Sequence, residues 1–202
     1  MDSNLFNPLD KQNLGKSIVE ALVNSPVSSL RIETAFKGAG LYAVYYHGNY
    51  AGYERLTKFN GEESRVPIYV GKAIPKGGRK GIVSDASLTS RALSLRLSDH
   101  AKSIDQAENL ELSDFTCRYL IVDDIWIGLG EALLIQKYKP LWNQVVEGFG
   151  NHDPGGGRRA GKRPLWDELH PGRKWAEKCA PAKLSEAEIL EAVDRHLSTM
   201  NS

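Results

Sequence analysis

Arg96 and His100 stand four residues apart in a stretch, 87–102, whose Leu93, Leu97 and Ala101 recur at helical spacing. That interval makes them neighbours on one helix face and predicts a single local cationic site. An Arg there can hold a phosphate oxygen bidentately, and a His with an ordinary pKa near 6.5 can take a proton at neutral pH. The alternative is a helix that turns both side chains to solvent. Glu131 has Ile127 four residues before it and Leu134 and Ile135 three and four after, which sets a carboxylate on an apolar helix face. An unpaired buried carboxylate is costly, so it must meet a cation or hydrogen bonds. One divalent ion, completed by phosphate and water, is a solution suited to Mg²⁺, and a partly exposed Glu paired with Lys or Arg is the other.

Tyr42 and Tyr69 lie in two short β-branched and aromatic runs. A phenol more often fills a core edge than does chemistry, and with a pKa near 10 it is a poor base unless a cation, a metal or a base such as His100 helps to take its proton. Lys72 follows the second run and is placed either to hold phosphate or water or to lie free in solvent. Asn143, just past the helix stop at Pro140, is a hydrogen-bonding residue for a ligand or backbone, or a turn residue.

The elements that must position these groups are legible from periodicity and punctuation. Residues 41–46 and 68–70 read as strands, the second stopping at Gly71, and 115–122 is the clearest strand of all. About twenty residues part the first two strands, too many for a tight hairpin, so 48–66 reads as an insertion. Helices are expected over 87–102, over 126–138, and from Ser185, where Glu188 completes a capping box and Ile189, Val193 and Leu197 share a face. A short amphipathic helix around Leu14, Ile18, Ala21 and Leu22 precedes a Ser/Pro connection at 24–29 and reads as a packing arm. Residues 71–81 and 148–159 are Gly-rich and basic and read as exposed loops.

A chain of 202 residues with 41% hydrophobic residues is long enough for a substantial core. No apolar run approaches the roughly 20 residues of a membrane span, and the N-terminus lacks the layout of a signal peptide, so a cytoplasmic protein is expected. The two cysteines, Cys117 and Cys179, are expected as reduced thiols, and a zinc role for His170 and Cys179 is not expected from their spacing. The net charge of +1 hides two opposed blocks: 65–102 holds eight basic and two acidic residues, whereas 103–135 holds seven acidic residues and one Arg. The basic block includes Lys72, Lys76, Arg79 and Lys80, and Arg158 and Arg159 add a second basic loop. Such loops can reach a phosphate backbone; the alternative is a solvated surface.

Gly40-Leu41-Tyr42 with Ala43-Val44-Tyr45-Tyr46, then Tyr69-Val70-Gly71-Lys72-Ala73, resemble the two motifs of the GIY-YIG nuclease family, and Arg96, His100, Glu131 and Asn143 follow in the family's order. The match covers about 38–145. Pro140-Leu141-Trp142-Asn143 and Gly148-Phe149-Gly150-Asn151-His152 make the resemblance closer to the Type II restriction endonucleases of that family. Many family members carry Tyr where this chain has His100.

The resemblance implies an α+β fold with a small central sheet flanked by helices: one endonuclease domain with an N-terminal arm (1–37), a core (38–145) and a C-terminal extension (146–202). It implies Mg²⁺-dependent hydrolysis of double-stranded DNA, with Glu131 holding one ion, Arg96 balancing phosphoryl charge, Tyr42 with His100 activating the water, and Tyr69 positioning it. The products would carry 5′-phosphate and 3′-hydroxyl ends. A two-fold homodimer is the simplest way to cut both strands of a palindrome, and the closeness of the resemblance points to a GC-rich one such as CCGCGG. The insertion, the loop carrying Lys76, Arg79 and Lys80, and the region of Arg158 and Arg159 are the expected base readers and dimer contacts. A homing or repair nuclease of the family, or a non-catalytic nucleic-acid-binding protein, are the competing readings; a mere binder has no reason to keep the whole set of Tyr42, Tyr69, Arg96, Glu131 and Asn143.

Overall fold

The computed structural model describes residues 10–61, 63–75, 86–153 and 161–200. Its organising element is the strand Gly40–Tyr46, of which every residue is buried. Strand alternation sends Tyr42, Val44 and Tyr46 into one apolar cluster and Leu41, Ala43 and Tyr45 into another. A strand buried on both faces needs partners on both edges and layers on both sides, and the chain supplies them.

In chain order the elements are α1 (Lys11–Val23), β1 (Ser28–Ser29), β2 (Gly40–Tyr46), α2 (Glu54–Asn60), β3 (Tyr69–Ala73), α3 (Ala86–Thr89), α4 (Ala92–Gln106), β4 (Phe115–Ile121), α5 (Asp124–Tyr138), α6 (Leu141–Gln144), α7 (Leu165–Leu169) and α8 (Glu186–Thr199). The sheet has four antiparallel strands in the order β1-β4-β2-β3. The fold is therefore α+β, a small sheet flanked by helices. On one face α1 and α5 bring Val19, Leu22, Ile127 and Leu134 against Leu41, Ala43 and Tyr45. Gly130 is where α5 crosses the sheet, since a Cβ there would stand 2.4 Å from a Leu41 methyl. On the other face α4, α6, α7 and α8 enclose the larger cluster with Leu97, Trp142, Trp166 and Ile189.

Helix ends follow local chemistry. Asp123 caps α5 by accepting from the Ile125 N–H at 3.2 Å, and α5 ends at Lys139 in the left-handed region (φ 43°) ahead of Pro140. Ser185 and Glu188 form the expected capping box, and Ile189, Val193 and Leu197 are buried. The segment after Asn143 contributes Phe149, Trp166 and Leu169 to the same cluster as Tyr42 and Leu97, so it is a wall of the core rather than an appendage.

Three local expectations are corrected, and the 48–66 insertion gains a structure. Gly71, Lys72 and Ala73 continue β3 instead of opening a loop, because pairing with β2 through Gly40↔Ala73 outweighs their loop-like composition. The helix expected over 87–102 is two, α3 and α4, broken at Ser90 and Arg91. There the backbone of Gly38 intervenes: its N–H donates to the Ser90 carbonyl at 2.6 Å and its carbonyl accepts from Leu93 at 3.0 Å. Ser28 and Ser29, expected within a connection, pair with Cys117 and Thr116 as β1. The 48–66 insertion folds into a 3₁₀ turn, Ala51–Tyr53, and α2, and buries Tyr53, Leu56 and Asn60. Asn60 ties it to β2, donating to the Tyr46 carbonyl at 3.0 Å and accepting from the Val66 N–H at 2.7 Å. No described helix is long and apolar enough to cross a membrane.

A buried polar chain runs through the larger cluster. His170 meets the Asn109 side-chain oxygen Oδ1 through Nδ1 at 2.8 Å and the Tyr53 hydroxyl through Nε2 at 2.6 Å, and Trp142 Nε1 donates to that hydroxyl at 2.9 Å. Both ring nitrogens are engaged by a neutral imidazole with its proton on Nδ1. Burial pushes the His170 pKa down to about 3. Below pH 6.5 the unfolded chain takes up a proton at this position that the folded chain refuses, so stability falls with acidity by up to about 1.4 kcal/mol per pH unit until the folded value is reached. His170→Gln should be less stable than wild type at pH 7 yet lose stability less steeply between pH 6.5 and 4. Urea unfolding across that range checks it; parallel pH profiles would contradict it.

Candidate active site

Tyr42 comes from the central strand and His100 from the buried face of α4, where it lies between Leu97 and Ile104. Their hydroxyl and Nε2 are 2.6 Å apart. Tyr69, on β3, completes the group: its ring centroid lies 6.2 Å from that of Tyr42 and 5.2 Å from that of His100. Gly71 makes this packing possible, because a Cβ at that position would come within 2.3 Å of the Tyr42 hydroxyl.

The environment of His100 corrects the expected cationic pair. Arg96 and His100 do lie on one side of α4, but His100 is 1% exposed. Burial, and then its neighbours Arg96, His152 and Arg173, hold its pKa well below the ordinary imidazole value. His100 is therefore neutral and the local positive charge is that of Arg96. Burial also raises Tyr42 well above the usual phenol value, with Tyr69 adding to the shift and Arg96 opposing it. Tyr69 is raised by burial too, again against the pull of Arg96. Both are protonated phenols at neutral pH.

Arg96 reaches out of this buried group to the segment 148–152. Its Nη2 donates to the Gly150 carbonyl at 2.9 Å, and its Nη1 meets His152 Nε2. Phe149 stacks on the His100 ring at 4.5 Å with 17° between the planes. His152, Gly150 and Phe149 are thus site residues to which the sequence attached no role. The signal was a Gly-Phe-Gly-Asn-His run, in which small residues flank an aromatic and a titratable group.

Glu131 sits on α5 opposite β3, and Lys72 Nζ lies 2.6 Å from its Oε2, with side-chain exposures of 39% for Lys72 and 21% for Glu131. Of the two solutions open to this carboxylate, the structure holds the ion pair. Lys72 is a strand residue aimed at Glu131, not a loop residue in solvent. A partly exposed pair of this kind contributes at most about 1 kcal/mol, so another cation can displace the lysine at small expense. Among the described residues no three His, Cys, Asp or Glu side chains gather at one point. A lone carboxylate that already attracts a cation fits a hard ion whose remaining ligands are phosphate and water.

Asn143, on α6, settles between its alternatives in favour of the backbone. Its Oδ1 accepts from the Val70 N–H at 2.8 Å and its Nδ2 donates to the Val70 carbonyl at 2.9 Å. Val70 lies between Tyr69 and Gly71, so Asn143 fixes the outer edge of β3 where the second tyrosine departs.

Beside these groups a cleft of about 740 Å³ is lined by Lys72, Arg91, Arg96, Asp99 and His152 among others. Tyr42, Tyr69, Arg96 and His100 form one cluster, Glu131 and Lys72 an adjoining one, and Asn143 supports the strand between them. Lys76, Arg79, Lys80, Arg158 and Arg159 lie outside the described residues.

A small antiparallel sheet carrying two tyrosines, with an arginine, a histidine and a glutamate supplied by the helices around it, is the constitution of a GIY-YIG nuclease. The chain matches the family model described as "Eco29kI GIY-YIG domain" over residues 34–197 and belongs to that family of GIY-YIG restriction endonuclease domains. A search of curated proteins found no match.

Asn143→Ala leaves two buried backbone groups without partners and should cost about 1–3 kcal/mol in urea unfolding. A loss below about 0.5 kcal/mol would show that water replaces the amide and that the clamp is dispensable.

Proposed function

We propose that this nuclease is a Type II restriction endonuclease that hydrolyses double-stranded DNA at a short, GC-rich palindrome, leaving 5′-phosphate and 3′-hydroxyl ends. The observation that carries the reading is the Tyr42–His100 hydrogen bond set beside the Arg96 guanidinium. A substrate phosphate entering the cleft would replace His152 as the partner of Arg96 Nη1, while the Gly150 carbonyl keeps its hold on Nη2, so that the guanidinium stays oriented as it balances charge on the phosphoryl oxygens.

Tyr42 is too poor a base to take a proton from water unaided. With its own proton donated to the neutral Nε2 of His100, the hydroxyl oxygen can accept one from an attacking water, and the phenol stays uncharged throughout. The burial that keeps His100 neutral also keeps its lone pair available, and negative charge gathering on the phosphate offsets the charge that His100 acquires. Tyr69, packed against Tyr42 and His100, would position the water. Glu131 would hold one Mg²⁺, which when bound supplies positive charge at the scissile phosphate and the leaving 3′ oxygen. Lys72, displaced from Glu131, would then turn to phosphate or water.

The single domain would act as a two-fold homodimer, one site on each strand, with the 48–66 insertion and the basic segments around Lys76, Arg79, Lys80, Arg158 and Arg159 as base readers or dimer contacts. A cytoplasmic setting suits such an enzyme and its thiols: Cys117 is buried, and its pKa is pushed up to about 12 by that burial.

Digestion of a plasmid of known sequence with Mg²⁺, followed by sequencing of the ends, tests the reading. Cuts recurring at one short palindrome are expected. Random nicks would replace it with a repair-like nuclease, and intact DNA with a binding protein. Glu131→Gln should bind DNA about as well as wild type but cleave it roughly a thousandfold more slowly, a loss of about 4 kcal/mol of transition-state stabilisation. Cleavage at the wild-type rate would sink the metal assignment.

A further inference from the structure

Arg173 is 2% exposed, and its guanidinium makes five hydrogen bonds, matching the five N–H donors an arginine has. Nε and Nη2 hold the buried carboxylate of Asp167 as a fork. The other three bonds reach backbone carbonyls of one short segment: Gly148 at 3.0 Å, and Phe149 and Asn151 at 3.1 Å each. The carbonyl left out of this set, that of Gly150, accepts from Arg96 instead. The cation is also packed against the rings of Trp166 and Trp175, 4.5 and 4.9 Å from their centroids.

The segment 148–152 is therefore a strap between two arginines, one buried and anchoring, the other at the site. Along it, Phe149 covers the His100 ring, while Gly150 and His152 hold the Arg96 head group. Gly150 approaches so closely that a Cβ would lie 2.8 Å from both Arg96 Nη2 and the Tyr69 hydroxyl. A buried ion pair of this kind is weak as a source of stability, because desolvation offsets its attraction. What five directed bonds and two aromatic faces do supply is a fixed position for the carbonyls they meet.

We propose that Arg173, paired with Asp167, is a positioning residue that holds the 148–152 strap in place, and through it orients Arg96 and shields His100 from water. The assignment rests on the reading of Arg96 and His100 as working groups of a nuclease. It needs a test that does not depend on cleavage alone.

Arg173→Lys in the full chain keeps the charge but loses the planar fork. Phe149→Leu keeps the Arg173–Asp167 pair and removes the cover over His100. Both are to be confirmed as folded by circular dichroism and melting, and the His100 resonance is to be followed by NMR from pH 8 to 5, assigned by its loss in His100→Gln. In wild type it should not titrate across this range. In each folded variant it should titrate, moving toward the ordinary imidazole value, and kcat for DNA cleavage should fall at least 30-fold with KM changed less than about threefold.

A folded Arg173→Lys with the wild-type His100 titration and kcat would overturn the proposal. If Arg173→Lys does not fold, Asp167→Asn, which removes the carboxylate that holds Nε and Nη2, decides in the same way. If wild-type protein cuts no DNA, the nuclease reading of the site fails, while the His100 titrations still show whether Arg173 holds the strap.

Discussion

Burial of β2 on both faces is the constraint from which the rest of the structure follows. Its pleat divides the molecule into a layer that meets α1 and α5 and a layer that meets α4 and the C-terminal helices. Tyr42 belongs to the second layer and Leu41 to the first, so a slip of one residue would exchange a phenol for an aliphatic side chain at the heart of the site. Antiparallel neighbours on both edges, paired from Gly40 onwards, make such a slip costly across the whole sheet. The placement of Tyr42 against His100 is thus fixed by the same register that fixes the core.

Electrostatics in the site is arranged by depth. His100 and Tyr42 lie where water is excluded, and their mutual hydrogen bond satisfies polar atoms that would otherwise be stranded. Arg96 stands at the boundary, its head group turned toward the cleft. Glu131 is likewise half-buried, and Lys72 is exposed. The groups to which the proposed mechanism gives the proton are accordingly the buried ones, and those it has exchange partners with a substrate stand nearer solvent.

Much of this was legible in the residues themselves. Strand composition and the turn residues around it placed the tyrosines, the capping box located α8, and the apolar neighbours of Glu131 showed that its carboxylate needed a cation or hydrogen bonds. What escaped had a common physical cause: it depended on contacts between distant segments. Helical spacing made Arg96 and His100 neighbours but said nothing of the Phe149 ring that covers one and not the other. Gly71 and Lys72 look like loop residues until β2 is set beside them, and the break before α4 follows from Gly38, more than fifty residues upstream. The charge contrast between the blocks 65–102 and 103–135 also resolves unevenly. Of the acidic residues in the second block, Glu131 reaches the site, whereas Asp105, for example, is engaged at the surface by Arg31.

The order in which the chain is made gives the strap a further meaning. Tyr42, Tyr69, Arg96, His100 and Glu131 all leave the ribosome before Asp167 and Arg173, and domains organise as their later contacts become available. A growing chain therefore contains both tyrosines, Arg96, His100 and Glu131 while it still lacks the pair that bonds the 148–151 backbone. The arrangement of the site thus waits on the last fifth of the chain to be made.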